Sequence, residues 1–323
     1  MAGSDPELPP LSVQETERII GQIASVVDDQ QLVLIGGQAI ALWRAQLAAY
    51  LPAGAHTVTS RDVDLQGSRD ALEEIARLLD GRSRLASFDD HTPLAGVVVF
   101  VDADGYERQL DVLPRPFGLD GAAVARNAPL LHLRPDIGRG AKVRVMHPVD
   151  VLRSRVANSA LADKQTERAA QQLHAAVALV PAYGQMLLDH GADPRLVTNM
   201  NESVFRLAYK DARALRLYLN GTADIADAVL YDVRLPEAYL STRFPQLRRQ
   251  LAAERKRLAN RALSYAPNRR LRNTAACAPT AEVSTNRTRA WISRPAPSRA
   301  RSRDSRRPLR GPLLRRCRLP FDC

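Results

Sequence analysis

Residues 62–66 read Asp-Val-Asp-Leu-Gln, a short alternation of acidic and apolar side chains. Successive residues of a β-strand face opposite sides of the sheet, so this alternation predicts a strand with Asp62 and Asp64 on one face. Their Cβ atoms would lie roughly 6 to 7 Å apart, which lets one hard cation bind between the two carboxylates. Taken alone, an Asp-x-Asp pattern is more often a solvated strand face or a turn.

A glycine pair lies upstream of this strand. Residues 32–35 form a short apolar run, Gly36 and Gly37 interrupt it, and apolar residues then recur at helical spacing from Ala39 to Leu47. The pattern predicts a strand, a glycine turn and a helix. Glycines let the backbone approach a ligand, and a helix N-terminus offers free N–H groups to a phosphate. The turn is therefore a candidate anion site, with a tight turn that binds no ligand as the alternative.

A third acidic residue is predicted on a later strand. Residues 97–101 and 106–113 flank a turn at 102–105, which is typical of a hairpin. The second arm places Gln109, Asp111 and Leu113 on one face. A short strand over 142–146 and helices near 14–28 and 72–79 complete the expected first half.

The second half is predicted to be mostly helical. Pro148 is a favoured first helical residue, and His147 before it is expected to cap that helix. Pro181 is expected to kink or split a later helix. The fold class is therefore α+β, with a small mixed β-sheet and flanking helices followed by a helical domain. The expected boundaries are residues 1–147, residues 148–266 and a tail over 267–323.

The net charge of +11 is concentrated in that tail, since residues 267–323 hold 15 arginines, no lysine and three acids. The tail also contains all three cysteines and lacks apolar periodicity, which predicts disorder. Two interpretations of the tail stay open: a basic arm that touches nucleic-acid phosphates, or an extension without function. The cysteines show neither a C-x-x-C pair nor the spacing of a zinc site.

The sequence argues against several classes of protein. The sequence contains no G-x-G-x-x-G, no phosphate-binding G-x-x-x-x-G-K-[ST] and no H-E-x-x-H. No apolar run approaches the ~20 residues of a membrane-spanning helix, and the N-terminus lacks the basic start and apolar core of a signal peptide. A cytoplasmic protein without membrane contact is expected.

The order of these parts resembles the nucleotidyltransferase superfamily of the polymerase β type. The stretches Ile35-Gly36-Gly37-Gln38-Ala39 and Thr59-Ser60-Arg61-Asp62-Val63-Asp64-Leu65 are most similar to AbiEii-like and MenT-like bacterial nucleotidyltransferases. The resemblance covers roughly residues 14–190. It implies that residues 1–147 form a nucleotidyltransferase catalytic domain.

The resemblance also implies roles for the acidic residues. Asp62 and Asp64 match the metal-binding acids, and Asp111 matches the third acid, which helps bind a second metal and activates the acceptor hydroxyl. The implied cofactor is Mg²⁺. Because these three residues would hold the metal and act on the acceptor, they are the expected catalytic residues.

The implied nucleotide-binding residues lie around the glycine turn. Gly36 and Gly37 match the family's glycine pair and would hold a nucleoside triphosphate, while Ser60 or Arg61 would touch its phosphates. Lys164 matches a lysine beyond the catalytic domain that pairs with phosphate. Lys164 and three further bases are also read as a solvated face or an acceptor groove: Arg153, Arg155 and Arg168.

Two classes of function follow. The first is an Mg²⁺-dependent enzyme that transfers an NMP from an NTP to a hydroxyl of RNA such as tRNA, of protein or of a small molecule. Many members of the resembling group are toxins, which adds an antitoxin as an expected partner. The second is a non-catalytic module of the same fold that binds nucleotide or RNA. Residues 165–172 lack the Asp-rich motif of AbiEii toxins, so the chemistry is better supported than the toxin role.

Overall fold

The computed structural model of the chain describes residues 8–52, 60–90, 92–161 and 166–274. Described residues up to Ala259 belong to one compact unit, and a second unit begins at Asn260. The domain boundaries expected at residues 147 and 266 stay predictions. Residues 267–274 are helical, whereas the rest of the predicted tail lies outside the described residues.

A seven-stranded mixed sheet is the centre of the described part of the chain. Its strands are β1 (Val33–Leu34), β2 (Val63–Gln66), β3 (Arg82–Leu85), β4 (Gly96–Val101), β5 (Glu107–Leu113), β6 (Leu130–His132) and β7 (Lys142–Val145). Their order across the sheet is β3-β4-β5-β2-β1-β7-β6. The pairs β2–β5 and β1–β7 are parallel, and the other neighbouring pairs are antiparallel.

Helices surround the sheet and dominate the second half of the described chain. They are α1 (Val13–Gln22), α2 (Ala24–Asp29), α3 (Gly36–Gln46), α4 (Leu72–Leu78), α5 (Gly121–Asn127), α6 (Pro135–Gly138), α7 (Pro148–Asn158), α8 (Glu167–Asp189), α9 (Pro194–Lys210), α10 (Ala212–Leu219) and α11 (Phe244–Thr274). The predicted combination of a mixed sheet with a following helical region is confirmed. No described helix is long and apolar enough to cross a membrane.

Alternating burial orients the two central parallel strands. In β2, Val63 and Leu65 are fully buried, and in β5 the same holds for Leu110 and Val112. Because the side-chain period of a strand is two, the residues between them point to the other face of the sheet. Packing of the apolar positions therefore fixes which face carries the acidic side chains.

The buried ring of Trp43 joins α3 to the helical region. Its Nε1 donates a hydrogen bond to the carbonyl of Met146 at 2.8 Å, and the indole meets the Tyr183 ring edge to face with centroids 5.1 Å apart. Tyr183 in turn makes an edge contact with His147 at 5.2 Å. Since Trp43 is fully buried, these contacts hold α3 in a fixed position against α7 and α8.

His147 caps α7, as predicted. Burial lowers the pKa of its imidazole below the ordinary value, although the charge of Asp150 acts in the opposite direction. The ring is therefore neutral near pH 7, and its Nδ1 accepts a hydrogen bond from the N–H of Val149 at 3.2 Å. This bond satisfies one of the free donors at the helix N-terminus.

Three expectations about the elements need correction. The helix expected over 14–28 is two helices, α1 and α2, with buried Ile23 between them. Helix α8 is not split at Pro181 and runs through it, because the buried residues around the proline pack on their neighbours and offset the lost backbone hydrogen bond. The sheet also contains β3 and β6, which no pattern predicted.

A buried ionic cluster ties α1 to the turn between β4 and β5. The guanidinium of Arg108 donates through Nε to Asp102 at 2.6 Å, and its Nη2 lies 3.9 Å from Glu15 Oε2. Burial, followed by the hydrogen bond and the charge of Asp102, raises the pKa of Glu15 to about 7. Glu15 therefore takes up a proton when the chain folds at mildly acidic pH.

The first prediction concerns Glu15→Gln. The folded pKa of Glu15 lies above its ordinary value of 4.5, so the stability that it contributes is present below that value and is lost as the pH rises through about 7. The amide that replaces the carboxyl keeps a donor toward Asp102 without a charge. We expect equal free energies of unfolding near pH 5 and a gain of about 1–3 kcal/mol for the variant near pH 8.5.

Urea unfolding at both pH values measures this difference. Glu73→Gln, a change at an exposed position of α4, serves as the control and should show no dependence of its effect on pH. A gain for Glu15→Gln of equal size at both pH values would contradict the assigned cause.

Candidate active site

Asp64 of β2 and Asp111 of β5 lie side by side. The two residues are direct partners in the parallel register, so both side chains leave the same face of the sheet. Neighbouring strands are roughly 4.8 Å apart, which brings the carboxylates within reach of one ligand. Gln109 Nε2 donates a hydrogen bond to Asp111 Oδ1 at 2.6 Å and orients that carboxylate. Both acids are half-buried.

The Asp64 carboxylate lies directly against Gly36. A Cβ atom at position 36 would be 1.9 Å from Asp64 Oδ2, a separation that no real contact allows. Gly36 also has φ +70°, a conformation that side chains disfavour. The backbone N–H of Ile35 donates to the carbonyl of Asp64 at 2.9 Å and joins β1 to β2 at this point. Glycine is thus required at position 36 by both its conformation and its neighbour.

Gly37 is covered by Ser60. A Cβ atom at position 37 would lie 2.7 Å from the Cβ of Ser60. The carbonyl of Ser60 accepts hydrogen bonds from the N–H of Leu11 at 2.8 Å and from Nε2 of buried Gln38 at 3.0 Å. The Thr16 hydroxyl donates to Gln38 Oε1 at 2.8 Å and fixes that amide. Ser60 is therefore held firmly beside the glycine turn.

Helix α3 begins at this turn. The residue at its N-cap position is Ile35, whose side chain cannot accept a hydrogen bond from the first turn. The first N–H groups of a helix have no partner within it and carry a partial positive charge. The helix has 11 residues, and its N-terminus lies next to the carboxylate of Asp64. The site therefore combines a cation-binding group with a place for an anion.

The remaining predicted site residues lie around this pair or outside the described chain. Arg61 and Asp62 form a bend immediately before β2, and both are half-buried. Within the described residues, no three His, Cys, Asp or Glu side chains are arranged to hold a metal ion. The role of Asp62 as a metal ligand stays a prediction. Lys164 lies outside the described residues.

The Asp64–Asp111 pair fits a hard divalent cation. Carboxylate oxygens are the ligands that Mg²⁺ prefers, and the ion is commonly held by one or two carboxylates with phosphate oxygens and water completing its shell. The orientation of Asp111 by Gln109 is the kind of support that ligating carboxylates receive. Asp64 and Asp111 would therefore hold Mg²⁺ together with a bound phosphate.

Helices α7 and α8 bring two further residues to the site: Arg155, which the sequence offered only as part of a solvated face or an acceptor groove, and Gln172, which no pattern marked. Arg155 Nη1 donates to Gln172 Oε1 at 2.6 Å. Gln172 Nε2 is 3.0 Å from the position that a Cβ of Gly37 would take. Burial lowers the pKa of the Arg155 guanidinium, the negative charge of Asp64 opposes that change, and the positive charge of Arg168 adds to it. Arg155 therefore belongs to the same charge environment as Asp64.

Comparison with known proteins yields one solved structure and no family. No protein-family model matches the sequence, and no curated protein matches it either. The chain is similar to a crystal structure described as an antigenic nucleotidyltransferase-like protein from Paracoccidioides brasiliensis. The identity is 15% and the TM-score 0.37, over 59% of this chain and 94% of that chain.

Proposed function

We propose that this protein is an Mg²⁺-dependent nucleotidyltransferase that transfers an NMP from a nucleoside triphosphate to an acceptor hydroxyl. One observation carries the proposal: the Asp64 and Asp111 carboxylates are adjacent on parallel strands, and Asp64 lies against Gly36 where α3 begins. A cation between acidic residues beside a helix N-terminus suits a substrate that carries phosphates.

The residues around the turn divide into two groups by their chemistry. The N–H groups at the start of α3, with Gly36 and Gly37 permitting close approach, would hold the triphosphate. Ser60 lies beside Gly37, and Ser60 or Arg61, the next residue in the chain, would contact a phosphate held there. Asp64 and Asp111, with Asp62 as the further expected ligand, would hold Mg²⁺, which neutralises negative charge on the phosphates.

The reaction is an in-line displacement at the α-phosphorus. The acceptor oxygen forms a new bond to that phosphorus, the bond to the oxygen bridging the α- and β-phosphates breaks, and pyrophosphate leaves. Asp111 would accept the proton of the acceptor hydroxyl. Its carboxylate suits this role because Gln109 fixes its orientation.

The acceptor and the cellular role form the finer part of the proposal. The motifs at 35–39 and 59–65 resemble AbiEii-like and MenT-like enzymes. On that resemblance the acceptor is a tRNA or a protein, and the enzyme is a toxin with an antitoxin partner. Growth arrest on expression that depends on Asp64 would support this role, whereas harmless expression of active protein would contradict it.

The second prediction tests the chemistry directly. Full-length protein incubated with labelled nucleoside triphosphates, Mg²⁺ and total RNA or protein should label an acceptor. Labelling should disappear in Asp62→Ala and Asp64→Ala, because the acids that hold the metal are lost. Asp29→Ala, at the exposed end of α2, is the control and should label normally.

Two results would contradict the proposed mechanism or the proposed enzyme. Equal labelling by the Asp64→Ala variant would remove that residue from the mechanism. Nucleotide that binds equally well with and without Mg²⁺, with no transfer to any acceptor, would instead identify a non-catalytic nucleotide-binding module.

A further inference from the structure

Two carboxylates lie side by side at the candidate site. Asp64 and Asp111 are direct neighbours in the parallel register, and like charges at such positions repel each other. Half-burial strengthens this repulsion because fewer waters screen it. A positive charge near the pair reduces this repulsion.

Arg155 contributes a positive charge near Asp64. The chain of contacts runs from the Asp64 carboxylate on Gly36, through Gly37, to the Gln172 amide and the Arg155 guanidinium. The attraction between Arg155 and Asp64 partly opposes the effect of burial on the arginine pKa. A guanidinium keeps its positive charge at any ordinary pH, so it is a permanent counter-charge at this position.

The Nε atom of Arg155 is a further hydrogen-bond donor. It is buried, and within the described residues it has no hydrogen-bond partner. A buried donor that stays unsatisfied destabilises the fold, so native proteins seldom keep one without a function. A phosphate oxygen is a suitable acceptor, because a guanidinium can bind phosphate with two parallel N–H donors.

We propose that Arg155 is a phosphate-binding residue of this site, which neutralises Asp64 when no substrate is bound and binds the triphosphate when it enters. Gln172 is its positioning residue, since it holds Arg155 Nη1 at 2.6 Å beside the glycine turn. The inference rests on the proposed function and extends it. It assigns part of the triphosphate site to α7 and α8, outside the motif residues of the sheet.

The proposal predicts that one variant binds Mg²⁺ more tightly and a nucleoside triphosphate more weakly than the parent protein. In Arg155→Gln, the carboxylates lose a competing cation, so Mg²⁺ alone should bind several-fold more tightly. The same variant loses charge-assisted hydrogen bonds to phosphate, so a non-hydrolysable nucleoside triphosphate with Mg²⁺ should bind roughly 10- to 100-fold more weakly. Arg155→Lys keeps the charge without the paired donors. Its affinity for the triphosphate should lie between those of the parent protein and Arg155→Gln.

Isothermal titration of the full chain measures both affinities. Arg153→Gln is the matched control: Arg153 lies on the same helix, pairs with Asp150 through Nη1 at 3.0 Å and should change neither affinity. Gln172→Leu removes the acceptor for Arg155 Nη1 and should weaken triphosphate binding in the same direction as Arg155→Gln. Thermal melting of each variant confirms that it is folded before titration.

The outcomes separate this inference from the proposed function. If Arg155→Gln and Arg155→Lys bind both ligands like the parent protein while transfer still depends on Asp64, the role of Arg155 is overturned and the enzyme stands. Equal weakening of Mg²⁺ and triphosphate would show a merely structural residue and also overturn it. If the parent protein binds no triphosphate with Mg²⁺, the proposed function itself fails.

Discussion

Replacing Asp64 with asparagine should lower the rate of nucleotidyl transfer roughly 10³-fold. The amide has nearly the same shape but lacks the charge that would hold Mg²⁺ between β2 and β5. Stability should change little, because the variant loses the attraction of Asp64 to Arg155 but also the repulsion between two adjacent carboxylates. We therefore expect activity and stability to separate: transfer is lost, and the melting temperature changes little.

Single-turnover kinetics with saturating labelled nucleotide, together with a thermal melt, measures this prediction. Asp111→Asn should behave in the same way, since Asp111 is the register partner of Asp64. Asp29→Asn should leave both quantities unchanged. A clear fall in melting temperature that accompanies the loss of transfer would indicate that Asp64 serves the fold rather than the reaction.

Replacing Gly36 with alanine should abolish transfer by displacing Asp64. The new Cβ would lie 1.9 Å from Oδ2 of Asp64, so the carboxylate must leave its place beside β5. The φ of +70° adds backbone strain of about 1–2 kcal/mol. We expect a loss of transfer of roughly 10²-fold or more together with that loss of stability.

Gly140→Ala provides a matched control for the strain alone. Gly140 has φ +65°, close to that of Gly36, yet a Cβ there would meet nothing within 4 Å. Gly140→Ala should lose only the strain contribution in urea unfolding and keep transfer. Gly36→Ala should lose at least as much stability, because its Cβ also overlaps Asp64, and should lose transfer. Equal activity of the two variants would show that the contact between Gly36 and Asp64 is not needed.

Much of the sheet could be predicted because local patterns report burial. The alternation in β2 and β5 reflects apolar side chains that are fully buried on one face, and both strands follow it. Their parallel pairing, however, depends on contacts between distant segments, which no local pattern records. The sequence thus placed Asp64 and Asp111 on strands, and the structure supplied their register.

The unpredicted elements lack the feature on which pattern reasoning depends. All four residues of β3 are exposed, since this strand lies at the edge of the sheet, and so no apolar alternation marks it. Strand β6 has three residues, too few to show a period. In both cases strand formation follows from backbone pairing with a neighbour rather than from side-chain burial.

The position of Arg155 was equally hidden from the sequence. A basic residue on a helix is usually solvated, and spacing within α7 gives no information on what the helix packs against. Its contact with Gln172 exists because α7 lies along α8, and both lie beside the turn at Gly37. Charge near the acidic pair is thus a property of tertiary packing.

The parallel pairing of β1 with β7 has a consequence for the order of events during synthesis. Val33 pairs with Arg144 and Val63 with Leu110, so the middle of the sheet closes only after residues far apart in the chain have left the ribosome. Such long loops slow folding because the entropy of loop closure is lost before any stabilising contact forms. A nascent chain that ends before residue 145 lacks a complete centre and exposes apolar strand edges, which makes it a natural client for chaperones.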